Sequence, residues 1–185
     1  MLLAVGSAPV NTITGRVNRD VASCKSILER ARVNILLEGW LCNTEEEVNV
    51  APGANGQIEL DDNILSIDLS PTVRQNTMLL DPVQRGNRLF NRKGQTYTWT
   101  QSMKMDITRA LDWDELPEVL RQYMAAKAAE DAVTELEGDR SMIEKARYET
   151  LKARRNAMAH ELSNSDLTIF DQDTERRIRN QHLRR

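Results

Sequence analysis

Apolar residues along this 185-residue chain change their spacing twice, and that double switch constrains the fold more than any other feature. Val17, Val21, Cys24, Leu28, Ala31 and Ile35 recur in steps of four and three. Such steps lay one stripe along one face of a helix, here from about Asn18 to Glu38. Asn18 supplies an N-cap, and Gly39 a residue suited to the turn beyond the helix end. Between Trp40 and Leu111 the step falls to two. Val48 and Val50 alternate with polar residues, as do Ile58 and Leu60, then Leu65, Ile67 and Leu69, then Tyr97 and Trp99, then Met103, Met105 and Ile107. Alternation of this kind predicts half-buried strands. Turn chemistry separates them at Pro52-Gly53-Ala54-Asn55-Gly56, Asp61-Asp62-Asn63 and Asn91-Arg92-Lys93-Gly94. Residues 70 to 88 carry no clear period and end in Gln84-Arg85-Gly86-Asn87-Arg88. They predict a long loop with at most one short element.

The second switch lies in Leu111-Asp112-Trp113-Asp114-Glu115-Leu116-Pro117-Glu118. Proline in a first helical turn loses nothing by lacking an N–H. Leu120, Tyr123, Ala126, Val133 and Leu136 then give a spaced apolar face. An alanine-rich middle (Ala125, Ala126, Ala128, Ala129, Ala132) admits close approach by another helix. Gly138 breaks the run, and Ser141-Met142-Ile143-Glu144 matches a capping box for a further helix to about Leu162. Its narrow stripe is Met142, Ala146, Ala153, Ala157 and Met158. At the other end, residues 1 to 6 read as the close of a helix stopped by Gly6, with Pro9 in the following loop. The whole predicts an α+β fold. A hub of about four helices (residues 1–40 and 112–163) carries an inserted antiparallel β-rich subdomain (41–111) and an extended basic C-terminal tail (164–185).

A chain of this length buries roughly 70% of its unfolded surface, so it needs no metal or disulfide staple. Only 4% of residues are aromatic while 29% are charged, a lean core that suits a subunit stabilised by neighbours. The net charge of −3 argues against wholesale nucleic-acid binding. The sign is uneven, however: beyond Thr174 stand Arg176, Arg177, Arg179, Arg184 and Arg185 against the single acid Glu175. Cys24 and Cys42 read as reduced, buried small hydrophobes. No apolar run is long enough to span a membrane, and Met1-Leu2-Leu3-Ala4-Val5 is too short and unflanked for a signal peptide.

Catalytic constellations are weak. His160-Glu161 within Met158–Asn164 is half of a zinc-protease helix motif, which requires a second histidine where Asn164 stands. Glu45-Glu46-Glu47 and Asp61-Asp62 are the densest carboxylates, but neighbours on a strand point to opposite faces. They read as solvated edge and turn residues. The expectation is a protein without enzymatic turnover, catalytic residues, metal or cofactor. The arginine tail can meet phosphates or an acidic protein surface. Leu167, Ile169 and Phe170 ahead of it point to a segment that orders on a partner.

Three motifs carry a family resemblance that spans nearly the whole chain in order. Val5-Gly6-Ser7-Ala8-Pro9-Val10 resembles a helix-ending glycine and proline turn. Glu38-Gly39-Trp40 resembles a glycine–tryptophan junction between helix and insert, and Leu111 to Glu118 resembles an acidic segment before a second helical pair. Together they are similar to the tail tubular protein A family, the head-to-tail adaptors of short-tailed phages. One departure stands out: the family begins with about another half-helix before the position matching Leu2. The resemblance implies a structural virion protein at the head–tail junction, assembled in the bacterial host cytoplasm. It implies a homo-oligomeric, dodecameric ring binding the portal protein, a nozzle of the tail tubular protein B type and tail fibres. DNA would pass through the lumen during ejection without sequence-specific binding, and no membrane is involved. On this reading Leu167, Ile169, Phe170, Arg176, Arg177, Arg179, Arg184 and Arg185 dock on the portal. Gly39, Trp40, Trp113 and Pro117 are structural junctions. The competing expectations are a tail-associated peptidoglycan or glycan hydrolase, working through Glu45, Glu47, Asp61 and Asp62, and a basic-tailed DNA-binding module.

Overall fold

A computed structural model of the chain describes residues 19–74, 80–137 and 139–165. The expected helix end in residues 1 to 6, Asn18, Gly138 and the tail from Asp166 lie outside those residues. The fold is α+β, with long helices and antiparallel sheets. The elements run α1 (Arg19–Leu36), β1 (Thr44–Val50), β2 (Ile64–Leu69), α2 (Pro71–Arg74), β3 (Pro82–Arg85), β4 (Arg88–Asn91), β5 (Met103–Arg109), α3 (Glu118–Ala132) and α4 (Arg140–Asn164). A 3-10 turn, Trp113–Glu115, precedes α3, and a π-helical turn, Val133–Glu137, extends it. Gly39–Asp112 forms one compact unit, and the helices on either side of it in sequence form another.

In the helical unit α3 packs against both α1 and α4. Cys24, Ile27 and Ala31 of α1 meet Ala128 and Ala132 of α3 in one buried cluster. Small side chains on facing helices allow the short end of the usual ~8–10 Å axis separation. The stripe on α1 is shifted from its expected line at one place: Ile27 is buried and Leu28 only half-buried. On α3 the buried residues are Leu120, Tyr123, Met124, Ala128 and Ala132. Ala126 is half-buried, and Leu136 is exposed within the π-helical turn, which shifts the register past Ala132. Pro117 stands immediately before α3 rather than inside its first turn. The cap of α4 is Asp139, whose Oδ1 accepts from the N–H of Ser141 (2.8 Å) and Met142 (3.2 Å). The Ser141–Glu144 box is therefore displaced by a carboxylate two residues earlier, and acids are favoured at that dipole end.

The inserted unit holds a three-stranded antiparallel sheet in the order β1-β5-β2 and a two-stranded sheet of β3 and β4. Its core is Ile58, Leu60, Ile64, Leu69, Leu89, Trp99, Met103, Met105 and Ile107. Trp99 donates its indole N–H to the Leu89 carbonyl at 3.0 Å. The Ile58/Leu60 and Tyr97/Trp99 pairs do not build strands. They line stretches joined only by single bridges, Gln57 to Thr98 and Glu59 to Arg88 among them. In β2 a bulge between Ile64 and Ser66 lets Ile64 and Leu69, an odd number of residues apart, both reach the core. Residues 70 to 88 are not one loop. They contain the single turn α2 and the start of a hairpin, β3 to β4, closed by Gly86-Asn87 with Gly86 at φ 63°. A two-residue hairpin turn needs that positive φ, which glycine adopts without strain. Cys42 sits exposed in the turn before β1, not buried in a strand; Cys24 is buried, which pushes its thiol pKa up.

Candidate functional site

The densest polar cluster lies on β1 and β5 of the insert. Between Glu45 and Val48 the register of β1 slips by one residue, and Glu47 takes φ 55°, unusual for a side chain of its kind. Three neighbours hold it there. Its N–H donates to Asp106 Oδ1 (3.0 Å), while its carboxylate accepts from Lys104 Nζ (2.8 Å) and Thr72 Oγ1 (2.7 Å). The bonds from Lys104 and Thr72 hold the Glu47 carboxyl below its ordinary range. Beside it, Arg109 donates to Glu45 (2.8 Å), Asp61 (3.2 Å) and Asn63 (3.1 Å). Glu45, Glu46, Glu47, Asp61 and Asp62 are all exposed, on the edge strand β1 and in a turn, and three of them, Glu47, Glu45 and Asp61, pair with Lys104 or Arg109. A general acid needs a raised pKa, and Glu47 is shifted the other way.

Asp106 is the acid whose pKa rises. Its half-burial penalises the charged form, and the Glu47 N–H offsets this only in part against the acids Glu46, Asp68 and Glu47. His160 is exposed near the end of α4, with Asn164 Nδ2 about one turn on at 3.1 Å from its Nδ1. Among the described residues no group of three or more His, Cys, Asp or Glu could hold a metal ion.

The junction residues fall as follows. Gly39 takes φ 75° and opens the inserted unit, and Trp40 is buried. Asn43, which the sequence did not bring forward, ties the two ends of that unit together. Its Oδ1 accepts from Trp40 N–H (2.8 Å) and its amide donates to the Arg109 carbonyl (2.8 Å). The Arg109 N–H returns to the Asn43 carbonyl at 2.8 Å. Trp113 is half-buried in the 3-10 turn.

On the helical unit the candidate surface is α4. One edge packs on α3, where Thr150 Oγ1 bonds the Ala126 carbonyl (3.2 Å) and Ala157 is buried. Arg154 reaches both Glu38 at the end of α1 (3.0 Å) and the Tyr123 hydroxyl on α3 (3.5 Å). The expected apolar stripe is split. Ala146, Ala153 and Ala157 face inward to varying degree, while Met142 and Met158 are exposed. A second stripe emerges instead: Tyr148, Leu151, Met158 and Leu162 are 66%, 49%, 48% and 62% exposed. Their three- and four-residue spacing, with Arg155 completing it, was visible in the sequence. What hid it was the presence of two stripes on one helix.

The portal-docking residues expected from Leu167 to Arg185 lie outside the described residues. No helix among the described residues is long and apolar enough to cross a membrane. No curated protein matches the chain. A family model described as tail tubular protein matches residues 1–181, nearly the full length and across both units. With helices flanking a β-rich insert in one chain, and that match running through both, this protein belongs to the tail tubular protein family and is a structural component of a phage tail.

Proposed function

We propose that the protein is the adaptor ring of the head–tail junction, joining the portal to the tail nozzle and supporting tail fibres. The family match over residues 1–181 is the observation that supports this reading. Two physical features agree with it. The helical unit has a small-residue core and an apolar stripe left exposed on α4, as expected of a subunit completed by neighbours. A closed ring requires heterologous contacts that repeat by rotation. The division of labour follows the chain: residues 1–40 and 112–163 build the ring wall, and residues 41–111 meet nozzle and fibres. Residues 164–185 dock on the portal through Leu167, Ile169, Phe170 and the five arginines. The ring, taken as a dodecamer, lets DNA pass during ejection without reading its sequence, and it assembles in the host cytoplasm.

The test keeps the full chain and replaces Arg176, Arg177, Arg179, Arg184 and Arg185 with glutamine. Wild-type protein mixed with purified portal should give rings on portal by negative-stain imaging, and the variant should stay unbound while remaining folded. Undiminished binding by the variant would remove the tail from the docking role. Salt-dependent binding of the wild-type chain to duplex DNA, with none to portal, would favour a DNA-binding module instead.

A further inference from the structure

We propose that the outer face of the β3–β4 hairpin docks on an acidic surface of a neighbouring tail protein, a contact that rests on reading residues 41–111 as the part that meets nozzle and fibres. In the hairpin register Val83 stands opposite Phe90, and Arg85 opposite Arg88. Alternate residues of a strand share a face, so these four lie on one side, while Leu89 points the other way into the core. The Arg85 guanidinium carbon lies 3.7 Å from the centroid of the Phe90 ring, and that of Arg88 lies 4.7 Å from the centroid of Tyr97. Phe90 and Tyr97 are themselves packed edge to face. Two exposed arginines are thus held as neighbours on an aromatic base, with Val83 exposed on the same face.

Like charges directly opposite one another on a hairpin destabilise it. Among the described residues neither arginine makes an ion pair. Arg88 donates to the Gln57 amide oxygen at 3.2 Å, and Glu59, its bridge partner, forms no ion pair with it. Arg92, Lys104 and Arg109 of the same unit, by contrast, each pair with a carboxylate. Countercharge is what the hairpin face lacks. A guanidinium resting on a ring gives up little further rotamer freedom on binding, and it keeps its N–H edge for a carboxylate. Arginine and aromatic side chains beside an apolar contact are also the residues that concentrate binding energy at protein interfaces.

Carboxylates of a protein fit this face better than phosphates do. Residues 39 to 112 carry ten acids against seven bases, so the unit lacks the positive field that follows a nucleic-acid backbone, and Val83 offers that backbone nothing. A second copy is the weaker occupant. Glu45, Glu47 and Asp61, the ordered acids of the insert, are already bound by Arg109 and Lys104 of their own chain.

Titrations of the full chain against purified nozzle protein, and separately against purified tail fibre protein, test the proposal. Wild type should bind at least one of them, more weakly as salt rises. Arg85→Gln with Arg88→Gln should weaken that binding at least about tenfold. Arg85→Lys with Arg88→Lys, which keeps the charge and loses the fork, should weaken it in part. Arg19→Gln with Lys25→Gln, the same charge change at exposed positions of α1, should leave it unchanged. Hydrogen exchange of β4 and β5 checks that the insert stays folded. Should the glutamine pair disturb it, Asn87→Glu sets an acid beside the arginines from an exposed turn position, with the same expected loss. Undiminished binding by these hairpin variants overturns the proposal and leaves the role of the insert standing. An equal loss from the α1 pair also overturns it, because net charge alone would then be acting. Binding of wild type to neither protein removes the reading of residues 41–111 and the proposal with it. Self-association, or binding to duplex DNA, that the arginine substitutions abolish while tail-protein binding persists assigns the face to another occupant and overturns the proposal.

Discussion

Asp106 shows how one side chain sets the pH behaviour of the insert. It is half-buried beside Glu46, Glu47 and Asp68, and Asp68 is its direct cross-strand partner on β2. Burial first, and these acids next, raise its pKa, so the protonated form is the one that folding favours. Its contribution to stability is therefore complete below the ordinary carboxylate range and is lost as pH rises through the raised value. Glu47 acts in the opposite sense: its lowered pKa adds stability above the carboxylate range that disappears on acidification. Asp106→Asn keeps an oxygen for the Glu47 N–H and removes the buried charge. Thermal melts should place the variant above wild type near about pH 7, with the gap narrowing as pH falls into the carboxylate range and the wild-type carboxyl takes up its proton. A gap that is constant across that range would mean that Asp106 does not titrate with folding. The strained, bulged Glu47 beside it could not be read from sequence. A left-handed glutamate carries no signature, and its partners Thr72, Lys104 and Asp106 come from three separate stretches of chain.

At the scale of the helix, the α1–α3 seam depends on the absence of side-chain volume. Ala128 and Ala132 are fully buried against Cys24, Ile27 and Ala31. Ala128→Leu inserts three carbons at a fully buried position, and should cost about 1–3 kcal/mol in chemical denaturation. Ala125→Leu, exposed on the same helix, should be near neutral, since it adds a good helix former to solvent. Equal effects from the two would show that the seam tolerates volume. The alanine run announced this seam in the sequence, because only small residues at helical spacing let backbones approach. The β3–β4 hairpin announced itself less well. Its strands are four residues each and include Pro82, Gln84, Arg85 and Arg88, so no alternation survives. The Gly86-Asn87 turn was the remaining signal. Phe90 and Tyr97 pack edge to face at 4.9 Å, with Arg85 over the Phe90 ring, contacts between residues five and seven apart that follow neither a helical nor an alternating period. The exposed stripe on α4 belongs to the same class. Spacing shows that Tyr148, Leu151, Met158 and Leu162 share a face, but only the packing of α4 on α3 shows that this face is left uncovered.

The molecule as a whole carries two cores that share no described cluster. One is centred on Trp99 within Gly39–Asp112, and the other on Ala128 between the helices. The inserted unit is continuous in sequence, and Asn43 binds its beginning to its end through Trp40 and Arg109. Such a unit can lose its packing without unwinding the helices, provided that cooperativity follows the cores. Trp99→Ala removes a 4% exposed indole and its bond to the Leu89 carbonyl, a loss of about 3–5 kcal/mol by comparison with other large core truncations. Hydrogen exchange should then show β2, β4 and β5 opening while α1, α3 and α4 keep their protection, and ellipticity at the helical minimum should persist. If the helices lose protection in step with the strands, the two cores fold as one cooperative body. For a tail component the distinction has a consequence. A separately stable insert can present its surface to a partner while the helices keep whatever oligomeric contacts they make, so a change at one surface need not dismantle the other.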